Sequence, residues 1–72
     1  MVFKGILNKD AAETATTLKN IPKSGYSAGW TYRVAKEGTY AGVACEIGDM
    51  VIAVTDAATN QTAVNNAHWN VI

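Results

Sequence analysis

Met50, Val51, Ile52, Ala53 and Val54 are apolar at successive positions. A strand sends alternate side chains to opposite faces, so this run predicts a strand covered on both, the centre of the expected core. Just ahead of it, Gly48 and Asp49 predict a sharp bend, because glycine tolerates positive φ and aspartate bonds its own neighbouring backbone. From Trp30 the pattern changes to strict alternation. Trp30, Tyr32 and Val34 fall on one side and Thr31, Arg33 and Ala35 on the other, which predicts a half-buried strand over Trp30 to Ala35.

Val2 to Leu7 reads as a short first strand, in which Gly5 marks a close approach of another backbone. Asp10 with Glu13 three residues on has the form of a helix capping box, but Thr14, Thr16 and Thr17 are β-branched. The favoured reading there is a loop leading to an extended segment over Thr14 to Lys19, with one short helix as the alternative. Pro22 and the turn-rich Lys23 to Gly29 predict a surface loop. Lys36 to Thr39 is a turn, and Tyr40 to Val43 a short return strand. Beyond Asp56 the small and amide-bearing residues have the composition of a mobile loop, closed by an alternating strand over His68 to Ile72. Ending inside a strand suits one module of a longer polypeptide. The expected fold is all-β: one domain over residues 1–72, built as an antiparallel sheet, sandwich or partly open barrel.

Composition makes this a small core in need of help. The chain has 72 residues, 49% of them hydrophobic and 17% charged, too apolar for disorder and near the lower size limit for a self-sufficient core. Cys45 is the only cysteine and His68 the only histidine, which excludes an internal disulfide and a structural zinc site within one copy. Oligomerisation is the support that remains.

The six basic and six acidic residues cancel, so no global field attracts nucleic acid or an anionic membrane. Their order is uneven. Six bases against Asp10 and Glu13 give residues 1–36 a charge of +4, while Glu37, Glu46, Asp49 and Asp56 give the remainder −4. The two halves either pair locally within one sheet or lie on different faces and favour association between copies. No stretch approaches the ~20 apolar residues that span a bilayer, and the start lacks a secretory pattern, so synthesis in a cytoplasm is expected.

Candidate chemistry is sparse. Cys45 beside Glu46, with His68 distant, has the elements of a nucleophile and base, but a lone cysteine is far more often a buried core residue. Glu46, Asp49 and Asp56 lack the dense spacing of a calcium loop, and acids at turns usually serve their own backbone. No catalytic, cofactor or metal site is expected. The core and turn residues expected from the pattern are Trp30, Tyr32, Val34, Cys45, Gly48, Asp49, Val51, Ile52, Val54 and Trp69. Tyr26 and Tyr40, in or beside turns, are the expected contact surface.

The order GWTYRV, GTYAG, CEIGDMVIAVTD, a small polar loop and a closing HWNVI resembles a module that recurs in head-fibre and tail-fibre proteins of tailed bacteriophages. The likeness is specific from Gly29 onward and loose before it, where Asn8 to Glu13 replaces a more glycine-rich run. It implies a non-enzymatic virion component, made in the bacterial host cytoplasm and homotrimeric. Its implied partners are other virion proteins and a bacterial surface glycan. The alternative is a small carbohydrate-binding module of a secreted hydrolase, because G-D-x-V, a polar loop and a late tryptophan also occur in short chitin-binding modules. Two or three exposed aromatics in a row would mark that alternative.

Overall fold

The computed structural model describes residues 1–72, and apart from one 3₁₀ turn all of its regular structure is strand, joined by long turns and loops. β1 (Val2–Leu7), β2 (Thr17–Leu18), β3 (Trp30–Val34), β6 (Met50–Ala53) and β7 (Trp69–Val71) form one five-stranded sheet in the order β2-β1-β3-β6-β7. β4 (Gly38–Tyr40) and β5 (Val43–Cys45) form a separate hairpin. The all-β expectation holds, and four predicted strands fall within a few residues of their places. No helix starts at Asp10, where Asn8 Oδ1 accepts the Asp10 N–H at 3.0 Å and turns the chain instead. The last predicted strand begins one residue late, because Asn66–His68 forms a single 3₁₀ turn whose N-cap is Asn65.

The sheet is mixed rather than purely antiparallel. β1 runs parallel to both β2 and β3, and only β6 and β7 are antiparallel to their neighbours. The cause is the loop after β1, long enough to carry the chain back and start β2 in the same direction. Gly5 makes this possible: its φ is +155°, and a Cβ there would come 2.1 Å from the Thr16 carbonyl oxygen. Beside it the β1–β3 register shifts between Phe3 and Gly5, so Lys4 bulges and its ammonium lies 4.1 Å from the centre of the Trp30 ring.

Register sorts the side chains onto two faces. Leu7, Tyr32, Val34, Val51, Ala53 and Trp69 share one face, onto which the hairpin lays Tyr40, Ala41 and Cys45 and the loops lay Ile21 and Tyr26. These residues are the core. The hairpin turns on Ala41 and Gly42, both at positive φ, which matches the right-handed twist of the two strands.

The other face carries Phe3, Thr31, Ile52 and Asn70 in one row and Ile6, Arg33 and Met50 in the next. The hairpin does not pack on it, and Phe3 is 61% exposed, although Thr31, between Phe3 and Ile52 in the middle of the sheet, is only 1% exposed. The expectation that the Met50 run is covered on both faces is therefore corrected. Val51 and Ala53 are buried, Ile52 and Met50 are half-buried, and Val54 lies beyond the strand and is exposed. Trp30 is also only half-buried, at the rim of the core.

Candidate functional site

The fold gathers one polar cluster, at the end of the sheet where β3 begins and β6 ends. Tyr26 comes from the loop after β2, Gln61 from the loop after β6, and Asn65 and His68 from the turn that feeds β7. The Tyr26 ring is held in the core beside Trp69, with centroids 4.9 Å apart, and its hydroxyl reaches outward. That hydroxyl lies 2.7 Å from His68 Nδ1 and accepts from Gln61 Nε2 at 2.8 Å. Gln61 is the organiser of its loop. Its Oε1 accepts the Ala58 N–H at 3.0 Å, while Nε2 donates to the Lys23 carbonyl at 2.8 Å and the Ala63 carbonyl at 3.1 Å. Two loops far apart in sequence are thus tied by one amide side chain. Composition suggested mobility here, and nothing in it announced this pinning.

Chemically the cluster is a clasp. Each His68 ring nitrogen is engaged, Nδ1 by Tyr26 and Nε2 by Asn65 Nδ2 at 3.2 Å, and no carboxylate orients the ring. Cys45 is not brought to it. The thiol sits in β5, 4% exposed, and donates to the Val43 carbonyl at 3.3 Å. Burial pushes that thiol above its ordinary range, a backbone hydrogen bond with Tyr40 opposes this, and the charge of Asp49 adds to the rise. A thiol held protonated is a poor nucleophile.

The acids also serve structure. Asp49 Oδ2 accepts the Glu46 N–H at 2.9 Å and closes the bend, in which Gly48 has φ of +98°. Asp56 Oδ1 accepts the Ala28 N–H at 2.8 Å. The two ion pairs, Lys9 and Lys36 with Asp10, both lie in the basic first half and are exposed, so pairing between the two halves within one chain does not form. No group of three or more histidine, cysteine or acidic residues is arranged to hold a metal ion.

The residues expected to carry contact are placed otherwise. Tyr26 and Tyr40 are buried, 2% and 0% exposed, which corrects their assignment to the surface. Each lies in a loop or turn, as the sequence suggested, but its ring turns inward because so small a domain needs it to fill the core. Only the hydroxyls reach polar partners. For Tyr40 these are the Lys36 carbonyl, to which it donates at 2.6 Å, and the Lys9 N–H, from which it accepts at 3.2 Å. Tyr32, Val34, Cys45, Val51 and Trp69 are core residues as expected. Trp69 Nε1 is the one buried side-chain polar atom without a hydrogen-bond partner.

No protein-family model, curated protein or solved structure matches the chain.

Proposed function

We propose that this chain is a non-enzymatic structural module of a phage virion, which builds or decorates a head or tail fibre. The observation that carries the reading is the path of the chain through the sheet. β1 starts at the end where Val2 pairs with Trp30, and β7 finishes at the opposite end, where Ile72 exchanges hydrogen bonds with Met50. The polypeptide thus crosses the module along its strands, the layout needed to string units end to end in a fibre. A block of 30 × 24 × 21 Å set in series adds length without a detour of the chain.

Two further features favour the reading. The uncovered sheet face with Phe3, Ile52 and Met50 suits a domain that works against other copies or other virion proteins. The copy number of three is supplied by the resemblance. The carbohydrate-binding alternative is disfavoured, because Tyr26, Tyr32, Tyr40 and Trp69 are buried and leave no row of exposed rings for a sugar to stack on.

The test is labelling of intact particles. An antibody raised against the folded chain should decorate fibres of the phage whose genome encodes it, seen by electron microscopy. Particles that contain no such chain by mass spectrometry would overturn the reading.

A further inference from the structure

We propose that the outer edge of β7 is a self-association site, at which a second copy of this chain adds its own β7 in antiparallel orientation. β7 is the last strand of the sheet and has β6 as its one neighbour. Ile72 and Met50 exchange two hydrogen bonds, of 2.8 and 3.1 Å, and Asn70 lies opposite Ile52. Hydrogen-bonded and non-bonded pairs alternate along an antiparallel ladder, so the backbone groups of Trp69 and Val71 face away from β6. The Trp69 N–H is taken by the Asn66 carbonyl. Val71 is the residue of this strand whose N–H and C=O both remain free.

The two edges of the sheet are treated differently. At the far edge β2 has only two residues, and its outward Thr17 carbonyl accepts the Thr14 N–H at 2.9 Å. That edge is blunted. Sheets protect their edges by short strands, charge, proline, bulges or a covering loop, and Trp69-Asn70-Val71, although only three residues long, has no charge, no proline and no bulge.

The chemistry favours a second copy as the occupant. A two-fold axis beside Val71 lets each Val71 N–H donate to the Val71 carbonyl of the other copy, so the one residue with both groups free satisfies both. Neither β6 nor β7 carries a charge, so identical strands meet without repulsion. In this register Asn70 of each copy lies opposite Ile72 of the other. Ile72, 69% exposed, gains cover on the same face as half-buried Ile52 and Met50. A contact one strand long is weak, so it depends on concentration and is strengthened where copies are held together in an assembly. Being two-fold, it is separate from the three-fold association that the resemblance implies and does not rest on the fibre reading.

Sedimentation velocity of the full chain over rising concentration tests this with three variants. A chain synthesised with N-methyl-Val71 lacks the outward donor. Asn70→Lys with Ile72→Glu sets opposite charges across the axis, and Asn70→Lys with Ile72→Lys sets like charges. Both side chains are exposed, so the fold is retained, and circular dichroism checks it. The expected result is a concentration-dependent dimer of the unmodified chain and none for the N-methyl and Lys/Lys forms. The Lys/Glu form should dimerise up to about tenfold more tightly. A chain that stays monomeric throughout, or a dimer that survives N-methylation, would overturn the proposal. A trimer unaffected by N-methylation also overturns it while leaving the fibre reading in place. A dimer lost on N-methylation upholds it even if particle labelling fails.

Discussion

The Tyr26 hydroxyl and His68 Nδ1 lie 2.7 Å apart, joining residues 42 positions apart in sequence. The Ala67 N–H donates to Asn65 Oδ1 at 3.1 Å, which turns Asn65 Nδ2 toward His68 Nε2. The ring tautomer that fits this Asn65 orientation has Nε2 accepting and Nδ1–H facing the Tyr26 oxygen. The imidazole ¹⁵N spectrum is expected to show this Nδ1–H tautomer; a ring protonated on Nε2 instead would contradict the arrangement. Tyr26→Phe leaves His68 Nδ1 without a partner and removes one of the three acceptors of Gln61 Nε2, which keeps the Lys23 and Ala63 carbonyls, and should cost about 1–2 kcal/mol, read by chemical denaturation.

Gly5 and Thr16 set the steepest steric demand in the fold. Gly5→Ala places a methyl 2.1 Å from a backbone oxygen at a φ that favours glycine, and neither backbone can yield without parting β1 from β2. The expected loss is roughly 3 kcal/mol or more. Gly25→Ala is the control: its φ is +76°, but nothing lies within 4 Å, so only the conformational cost of about 1 kcal/mol applies. Equal melting temperatures for the two variants would show that the close approach does not matter.

What was legible in the sequence follows from what each signal encodes. The alternation from Trp30 and the apolar run at Met50 reflect burial on a pleated strand, and both strands are there. Gly5 was readable as a close approach because only glycine serves there. Strand direction was not readable, since no side chain records whether the loop after Leu7 returns the chain or carries it forward. Tyr26 and Tyr40 were misplaced because turn composition describes backbone, while ring orientation is decided by the volume of core left to fill. Gln61 was invisible for a related reason: a single amide that ties Lys23 to Ala63 looks the same in sequence as any polar loop residue.

Val51 and Ile52 separate the two faces of the central strand. Val51 is 0% exposed between Tyr32 and Val71, so Val51→Asp buries an unpaired charge and should cost more than about 4 kcal/mol. Ile52, half-buried on the uncovered face, can turn an aspartate toward water, and Ile52→Asp should cost only ~1 kcal/mol in the isolated chain. Urea denaturation of the two variants side by side decides the matter. An Ile52→Asp protein as unstable as Val51→Asp would mean that the outer face is covered in solution.

Cys45 and Tyr32 predict how stability responds to alkali. Burial raises both above their ordinary values of 9.0 and 10.0, in Cys45 with an added push from the charge of Asp49. In each case the folded state holds the proton more tightly than the unfolded chain. Stability from this source is therefore fully present below the unfolded values and is lost as pH rises from there through the higher folded ones. Denaturation midpoints should be flat with respect to these two groups at neutral pH and fall once the pH passes 9.0. Cys45→Ala should remove the first part of the fall, at a cost of ~1–2 kcal/mol for a small core truncation, and Tyr32→Phe the later part. Native Cys45 should also react with a thiol reagent more slowly than the same residue in an unfolded peptide. A midpoint that rises with pH in this range, or a fall unchanged in both variants, would show that the two protons are not held by the fold.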